Sequence, residues 1–437
     1  MFDFRIVALA SMFALSSSFT VGNDDRVDEK FQVEAGLTLF GEVFDQIRQS
    51  YVDAPDERDL VRAAIQGMMN SLDPHSTYLT QEAYITMSQG LSGEYGGVGL
   101  QTEMTGSRLS VTAVFAGSPA VESGIRAGDE IIAIDGITVE GVSHEDAVKR
   151  IRGPIGSSVT VSILRKGTLD TLELTLERRT IATSAVQWLM EGDVAVLRVT
   201  SFSAQAGSDV GEAIDAVYSQ RAGAAPKGII LDLRNNPGGL VEQAVMVADT
   251  FMSRGAVVLM RGRVPDANAR LDAWPDPRDA KLAGIPLVVL INGASASASE
   301  IVAGALQDHG RATVVGTRSY GKGSIQTILP LGPGGAMRLT TARYYTPSNR
   351  SIQALGIEPD VVVRQVVPPE LSGRDMVPGE WSLSGHITIP GQPESSSGSS
   401  AYVPADKEDD TQLQYALRLI GGHERSTLFP PNSSAVG

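Results

Sequence analysis

Pro286-Leu-Val-Val-Leu-Ile291 runs directly into Asn292-Gly-Ala-Ser-Ala-Ser297-Ala-Ser-Glu300, and this stretch decides the fold of the central part of the chain. A short, unbroken apolar run predicts a strand that is buried on both faces, and the small polar residues after it predict a turn and the start of a helix. Gly228-Ile-Ile-Leu-Asp-Leu233 repeats the pattern and runs into Arg234-Asn-Asn-Pro-Gly-Gly239. Because such strands alternate with helical segments, we predict an α/β layered core between residues 185 and 365.

The remaining elements of this core follow the same alternation. A helical pattern extends from Leu240 to about Phe251. Four more segments are predicted to be strands, at Val194–Val199, Ala312–Val315, Ile325–Leu331 and Arg338–Arg343. The loop before Ile325 contains Gly321-Lys322-Gly323, so a single lysine lies between two glycines and between two strands.

Serine and lysine are the best candidates for catalytic chemistry in this core. The chain has no cysteine, and none of its five histidines is placed as an obvious base. A serine hydroxyl becomes an effective nucleophile when a base accepts its proton, and burial lowers the pKa of a lysine amine from about 10.4 toward neutrality. The glycines around Lys322 permit close approach of another backbone, and Gln326 can orient the amine with an uncharged amide. The pattern indicates a serine hydrolase with an amine as general base.

The nucleophile is not decided by this reasoning. Ser295, Ser297 and Ser299 all lie at the predicted strand-to-helix turn, and the physical pattern does not choose among them. Ser319 and Lys322 match the Ser-x-x-Lys string, in which the two side chains lie one helical turn apart. The glycines on both sides of the lysine argue against a helix at that point, so this pair is the weaker candidate.

Histidine-based sites are disfavoured. His309 lies near the end of the helix that begins at Ser297, and twelve helical residues separate two positions by about 18 Å. The other histidines lie in turns or polar stretches without the spacing of metal ligands, and they are His75, His144, His386 and His423. We therefore predict no metal site and no cofactor.

Composition and the N-terminus restrict the setting of this chemistry. The chain has 437 residues, enough for two or three domains, and its net charge of -15 argues against binding to nucleic acid. Arg5 is followed by an apolar run from Ile6 to about Leu15, which is too short to span a bilayer but fits a secretory signal. We predict that residues 1–22 are a signal peptide or an N-terminal anchor and that the protein is exported.

Residues 31–90 are predicted to form a helical N-terminal region, because apolar residues recur there at spacings of three and four. The first stripe consists of Phe40, Val43, Phe44, Ile47 and Tyr51. The second stripe consists of Leu60, Ala64, Ile65, Met68 and Met69. We expect both stripes to be packing faces, and Asp73-Pro74-His75 interrupts the pattern.

Residues 91–180 change to short strands separated by glycine turns. The ordered motifs are Gly97-Val-Gly-Leu100, Ser118-Pro-Ala120, Ala127-Gly-Asp129 and Ile134-Asp-Gly136. With these motifs the segment resembles a PDZ domain of the bacterial, protease-associated kind. Such a domain adds the last residues of a protein as an extra strand, while amides of a glycine loop bind the terminal carboxylate. The resemblance places this loop at Gly97, Val98, Gly99 and Leu100.

A wider resemblance covers roughly residues 35–365. The motifs that carry it are Leu231-Asp-Leu-Arg-Asn-Asn-Pro-Gly-Gly239, Ser295-Ala-Ser-Ala-Ser-Glu300, Gly321-Lys-Gly323 with Gln326, Tyr344-Tyr-Thr-Pro347 and Leu72-Asp-Pro-His-Ser76. In this order they resemble the carboxyl-terminal processing peptidases, the serine peptidases of family S41. The resemblance implies a crotonase/ClpP-like α/β peptidase core with an inserted PDZ domain and a helical N-terminal region.

The family register also assigns roles to residues. It makes Ser297 the nucleophile and Lys322 the base, with Gln326 beside it. It provides the oxyanion hole from the amide of Ala298 and from one glycine amide, and it leaves Gly238 or Gly239 open for that second donor. Together with the predicted signal segment, we expect the protein in the bacterial periplasm or at the outer face of the cytoplasmic membrane.

Arg152 follows the predicted helix of the PDZ domain. In the peptidases that the chain resembles, an arginine here can link the PDZ domain to the active site. We state this link as a hypothesis, since a surface arginine at a helix end is the commoner explanation for such a residue.

Residues 366–437 lose the alternating pattern. Pro390–Ser400 is rich in proline, glycine and serine, and Asp406–Asp410 is charged, so we expect a linker and a C-terminal tail with little fixed structure. Gln412–Ile420 is expected to form a short helix that docks on this or another subunit.

The leading function is an exported serine endopeptidase that recognises C-terminal tails of protein or peptide substrates. An adaptor or activator protein and a homo-oligomer fit this function, and nucleic acid does not. The alternative is a catalytically silent PDZ scaffold that binds protein C-termini, and a third option is an acyl-CoA enzyme of the crotonase type. The intact serine, lysine and glutamine disfavour the scaffold, and the PDZ insertion has no purpose in the acyl-CoA enzyme.

Overall fold

The computed structural model describes residues 33–115, 117–165, 171–182, 184–389, 391, 397–424, 426 and 429. The chain divides between Ala64 and Ile65 into two compact units. The predicted signal segment, residues 1–22, lies outside the described residues. None of the helices in the described ranges is both long and apolar enough to span a membrane.

Helices and strands are interspersed along the described part of the chain. The helices among the described residues are α1 (Val33–Ser50), α2 (Glu57–Asn70), α3 (Gln81–Ser92), α4 (Pro119–Glu122), α5 (His144–Ile151), α6 (Ala206–Gln220), α7 (Val241–Asp249), α8 (Asp279–Leu282), α9 (Ala298–Asp308) and α10 (Thr411–Gly421). The strands up to the core are β1 (Thr77–Leu79), β2 (Glu94–Gly97), β3 (Leu100–Thr105), β4 (Arg108–Val114), β5 (Glu130–Ile134), β6 (Ile137–Thr138), β7 (Ser158–Leu164), β8 (Thr171–Glu177) and β9 (Arg179–Ala182). The later strands are β10 (Val186–Glu191), β11 (Val194–Val199), β12 (Gly228–Asp232), β13 (Gly255–Gly262), β14 (Ala269–Ala273), β15 (Leu287–Ile291), β16 (Thr313–Gly316), β17 (Ser324–Pro330), β18 (Ala336–Tyr345), β19 (Val361–Val362), β20 (Met376–Pro378) and β21 (Gly398–Ser400).

Helix α1 forms where the apolar spacing predicts it, but the predicted packing face is not fully covered. No residue of α1 is buried, and Phe40 is 52% and Val43 is 50% exposed. Phe44 and Ile47 of the same stripe are partly buried, so the predicted packing face is only partly covered by the described residues. A helical stripe shows which face is suited to contact, and it does not supply the partner surface.

The predicted PDZ segment forms its own sheet and its own apolar core. The strand order is β3-β4-β5-β7-β8, with β6 paired to β5. Helix α5 begins at Ser143, whose side chain accepts a hydrogen bond from the amide of Asp146. The apolar side chains that alternate along β4, β5 and β7 are buried together, and they include Leu109, Val111, Ile131, Val159 and Val161.

The centre of the second unit is a six-stranded sheet in the order β10-β11-β12-β15-β16-β19. Strands β11, β12, β15 and β16 are parallel to each other, as the unbroken apolar runs predict. Side chains on one face, such as Leu231 and Val289, pack with α6, α7 and α9 in the largest core cluster. Side chains on the other face, such as Ile230 and Val288, pack against α10.

The C-terminal segment corrects the expectation of little fixed structure between residues 390 and 410. Its described part includes β21, which pairs with β20, and Gly398 donates its amide hydrogen bond to the carbonyl of Ser319. Asp410 is buried, caps α10 and bonds Arg234 with both carboxylate oxygens at 2.8 Å. Helix α10, which follows this segment, covers apolar strand residues that would otherwise face water. Pro390 and residues 392–396, part of the predicted linker, lie outside the described residues.

We expect Asp410→Ala to destabilise the protein by about 3 to 5 kcal/mol, because it removes a helix cap and leaves the buried Arg234 with one carboxylate partner fewer. Urea unfolding of the full chain measures the change. Lys407→Ala is the control, since it removes an exposed ion pair with Glu191 from the same segment and should leave the midpoint unchanged. Equal midpoints for the two variants would contradict this account of α10.

Candidate active site

Two turns meet at the carboxyl ends of the parallel strands β12 and β15. Asn235 and Asn292 exchange two hydrogen bonds between the turns, at 3.0 and 2.8 Å. The amide of Ala296 and the hydroxyl of Ser299 both donate to the carbonyl of Asn236. The carboxyl ends of parallel strands are the usual location of ligand sites in α/β proteins, and this crosslinking holds the serine turn there.

The structure separates the three candidate serines by what their hydroxyls contact. Ser295 is fully buried and donates to the carbonyl of Leu233 at 2.8 Å. Ser299 is also fully buried, and its bond to Asn236 is 2.9 Å long. Only Ser297 among the three is partly exposed, and neither of the turn carbonyls holds its hydroxyl. Ser295 and Ser299 therefore fasten the turn, while Ser297 is accessible.

Ser297 has an unusual backbone conformation, with φ of 57° and ψ of -114°. Residues other than glycine rarely adopt this region, and such strain clusters at functional sites. Gly238 lies against the turn so closely that a Cβ added there would be 2.7 Å from the Cβ of Ser297. The strained serine and the Asn-Pro-Gly-Gly turn are thus in direct contact.

Lys322 lies in the loop before β17, and a neutral amide holds its amine. Its Nζ donates to Oε1 of Gln326 at 2.5 Å and to the carbonyl of Ser324 at 3.4 Å. The Nε2 of Gln326 donates to the hydroxyls of Ser324 and Thr340, which turns the amide oxygen toward the lysine. The predicted pairing of Lys322 with Gln326 is therefore present in the structure.

Burial lowers the pKa of Lys322 from its ordinary value to about 8. The negative charge of Glu380 opposes this shift, and the positive charge of Arg338 adds to it. No carboxylate forms an ion pair with this amine among the described residues. An amine with such a pKa is neutral often enough near physiological pH to accept a proton.

Glu300 connects the serine turn to the lysine loop. Its Oε2 accepts hydrogen bonds from the amides of Ser297 and Lys322, at 2.7 and 2.9 Å. Its Oε1 accepts from the hydroxyl of Ser319 and the amide of Gly321, both at 2.6 Å. Complete burial raises the pKa of this carboxyl to about 7, and the four donors oppose that rise.

Gly238 and Gly239 differ in what their amides do. The amide of Gly238 donates to Oδ1 of Asn236 at 2.9 Å. Within the described residues, the amides of Gly239 and Ala298 have no hydrogen-bond partner. Both amides belong to the two turns that meet at Ser297.

Sequence reasoning missed several residues that support the site. Thr340 donates to Asp73 at 3.0 Å and accepts from Gln326, so the Asp-Pro-His-Ser motif reaches the lysine through two side chains. The hydroxyl of Tyr344 lies 2.8 Å from Oγ of Ser297. Glu380 is fully buried and hydrogen-bonded to Nε2 of His75. The sequence motif that contains His75 indicates one side of this contact, but no pattern around Glu380 indicates the other.

The competing catalytic sites are not formed. Ser319 is buried, bonds Glu300 and lies in a loop rather than on a helix with Lys322. His309 ends α9, and its Nε2 contacts the carbonyl of Ala256. No cluster of metal-ligand side chains occurs among the described residues.

The predicted PDZ loop connects β2 to β3. Gly97 ends β2, Val98 is buried, Gly99 has a φ of 79° and Leu100 begins β3. The amides of Val98 and Gly99 have no hydrogen-bond partner in the described ranges.

Arg152 ends α5, and its guanidinium carbon lies 4.0 Å from the centre of the Tyr95 ring. This contact joins α5 to β2 within the PDZ region. The link from Arg152 to the active site stays a prediction.

Comparisons with known proteins agree with this arrangement. Residues 193–363 match the model of peptidase family S41, residues 96–176 match that of a PDZ domain, and residues 8–83 match that of the activating protease CtpB N-terminal domain. The carboxy-terminal-processing protease of Bartonella bacilliformis is 43% identical over 428 residues, which are 98% of this chain and 96% of that protein. The carboxyl-terminal-processing protease of Synechocystis is 37% identical over 363 residues, 80% of each chain.

A solved structure, the photosystem II D1 C-terminal processing protease, has a TM-score of 0.44 and 29% identity, with coverage of 77% of this chain and 95% of that one. Fold, site and comparisons together define a serine peptidase of α/β architecture that contains a PDZ domain. The chain belongs to the carboxy-terminal processing proteases of peptidase family S41. The family resemblance and the multidomain fold inferred from the sequence are confirmed.

We expect Gly238→Ala to abolish proteolysis, because the new methyl group would press against the Cβ of Ser297 and displace the serine turn. The control is Gly284→Ala, where φ is also positive, at 74°, but no atom lies within 4 Å of the added carbon. Both variants place a side chain at a positive φ, of 101° at Gly238 and 74° at Gly284, but only Gly238→Ala brings the new carbon against the serine turn. Equal proteolytic rates in the two variants would contradict the proposed contact.

Proposed function

We propose that this chain is an exported serine endopeptidase that captures C-terminal tails through its PDZ domain and cleaves with Ser297 and Lys322. The observation that carries the proposal is the environment of the amine: Lys322 is partly buried, has a lowered pKa and is held by the uncharged amide of Gln326. A lysine placed for structure would normally meet a carboxylate or water.

The proposed reaction is acyl transfer to serine. Oγ of Ser297 attacks the substrate carbonyl carbon while its proton moves to Nζ of Lys322. The negative oxygen of the tetrahedral intermediate is bound by the amides of Ala298 and Gly239, which have no partner in the part of the chain that the structure describes. We assign the second donor to Gly239 because the amide of Gly238 is committed to Asn236. The lysine then protonates the leaving amine, and water hydrolyses the acyl-enzyme.

The site requires a small rearrangement before this reaction. The hydrogen bonds of the described residues do not include one between Oγ of Ser297 and Nζ of Lys322. The amine is engaged by Gln326 and Ser324, and the serine hydroxyl is engaged by Tyr344. We infer that the structure represents a resting arrangement and that substrate binding aligns the two groups.

Substrate capture is proposed at the loop of residues 97–100. The unpaired amides of Val98 and Gly99 suit a terminal carboxylate, and the adjoining edge of β3 suits an added strand. Arg152 is the proposed link by which tail binding is transmitted to the active site. An adaptor or activator protein and a second copy of the chain in a homo-oligomer are the further partners that we propose. Export to the bacterial periplasm or the outer face of the cytoplasmic membrane is part of the proposal.

We expect Ser297→Ala and Lys322→Ala each to reduce cleavage of an unfolded protein at least about 10³-fold, because each removes half of the dyad. Ser208→Ala and Lys227→Ala, both at exposed positions, are the controls and should cleave at the original rate. Cleavage products are followed by mass spectrometry.

The same substrate with an amidated C-terminus tests tail capture, and we expect it to be cleaved more slowly than the free acid. Full activity of the Lys322 variant would refute the dyad. Tail binding without any cleavage by the unmodified protein would favour the silent scaffold.

We expect kcat/KM to rise with pH and to level off above about 8, because only the neutral form of Lys322 accepts the serine proton. Protonation of the amine removes activity as the pH falls through this pKa. Because amine ionisation absorbs much more heat than carboxyl ionisation, the midpoint should move to lower pH on warming. If the midpoint of the kcat/KM profile does not change with temperature, the loss of activity at low pH is instead due to a carboxyl group such as Glu300.

A further inference from the structure

The hydroxyl of Tyr344 lies at the junction of the two catalytic loops. The side chain comes from β18, is 1% exposed and points between the serine turn and the lysine loop. Its Oη is 2.8 Å from Oγ of Ser297 and 2.5 Å from the carbonyl oxygen of Lys322. It therefore contacts the nucleophile directly, although neither the sequence motifs nor the family match assigns it a role.

The direction of these two hydrogen bonds follows from counting protons. A carbonyl oxygen only accepts, so the single phenolic proton of Tyr344 is donated to Lys322. In the structure Tyr344 is placed as the donor in both contacts. A phenol has only one proton, so we infer that Ser297 donates to Oη of Tyr344 when the carbonyl of Lys322 holds the phenolic proton. The opposite assignment would leave the carbonyl without a donor in a closed site, which is unfavourable.

The proton of Ser297 thus points toward the tyrosine and away from the amine. Nζ of Lys322 meanwhile donates to Gln326 and to the carbonyl of Ser324. We propose that Tyr344 is a positioning residue that holds the hydroxyl of Ser297 in a resting orientation, and that reaction requires this hydroxyl to exchange Oη of Tyr344 for Nζ of Lys322. This inference rests on the proposed Ser297–Lys322 dyad. It adds Tyr344 as a group that competes with Lys322 for the hydroxyl of Ser297.

The lysine loop does not depend on Tyr344 alone. The amides of Gly321 and Lys322 are held by Glu300, and the amide of Gly323 donates to Oε1 of Gln353 at 3.0 Å. The main-chain amide of residue 344 also donates to the carbonyl of Gly323. Removing the phenolic hydroxyl therefore frees Ser297 while most contacts of the loop persist. A carbonyl that loses one donor is tolerated better than an unpaired amide.

The test is the reaction of Ser297 with a small fluorophosphonate, which carries no C-terminal tail. Oγ displaces fluoride from phosphorus, and the serine proton passes to Lys322. We expect Tyr344→Phe to react about five-fold faster than the unmodified protein, because one neutral hydrogen bond no longer competes for the hydroxyl. The matched control is Tyr345→Phe, the next residue on β18, whose ring contacts Arg261 and whose hydroxyl loss should leave the rate unchanged.

A second comparison separates this role from a loosened structure. In a Lys322→Ala background the freed hydroxyl has no amine to reach, so Tyr344→Phe should give no acceleration there. Acceleration in both backgrounds would overturn the proposal, as would a rate for Tyr344→Phe that is equal to or below that of the unmodified protein. Labelling of the Ser297→Ala protein at the original rate would instead refute the proposed nucleophile itself.

Discussion

The carboxyl group of Glu300 is the constraint on which the site depends. It accepts hydrogen bonds from the amides of both Ser297 and Lys322, so one buried group sets the separation of nucleophile and base across 25 residues of chain. Burial favours the neutral form of this carboxyl and raises its pKa to about 7. Three backbone amides and the hydroxyl of Ser319 oppose this, because a carboxylate with several donors is stabilised as the anion. Three of these donors are backbone amides, which the start of α9 and the glycine loop around Lys322 provide without using side chains.

The central sheet places these loops, and the C-terminal helix completes the sheet. Strands β12 and β15 are buried on both faces, so a layer is needed on each side. Helices α6, α7 and α9 form one layer, and α10 forms the other. Arg234, two residues after β12, bonds Asp232 and Asp410 together. The turn that contacts Ser297 is therefore attached, through Arg234, to Asp410 at the start of α10.

Much of this could be predicted from the sequence, because the relevant signals are local. Unbroken apolar runs gave β12 and β15, and the neutral Gln326 four residues after Lys322 gave the partner of the amine. The order of the glycine motifs indicated the PDZ domain. Glu300 and Tyr344 lie within recognisable sequence motifs. Their contacts with Lys322 and Ser297 could not be predicted, because the partners come from segments that are distant in the sequence. Glu380 lies in a segment without periodicity, and its partner His75 is 305 residues away, so no local pattern could join them. The choice between Gly238 and Gly239 likewise required knowing which amide Asn236 occupies.

The low pKa of Lys322 persists although three buried carboxyl groups, those of Glu300, Glu380 and Asp73, oppose it. An unpaired carboxylate would favour the ammonium form and remove the base. Each carboxyl instead accepts from other donors. Glu300 accepts from backbone amides, and Asp73 accepts from the hydroxyls of Ser76 and Thr340. Glu380 is bonded to Nε2 of His75 at 2.7 Å and to the side-chain amide of Gln353 at 3.1 Å. Arg338, which donates to the carbonyl of His75, adds positive charge to the same neighbourhood. The amine is left with Gln326 and a carbonyl as its partners. Burial therefore lowers the pKa of Lys322 by more than the nearby negative charges raise it. The amine can act as a base because the nearby carboxylates are hydrogen-bonded to other groups, not because they are absent.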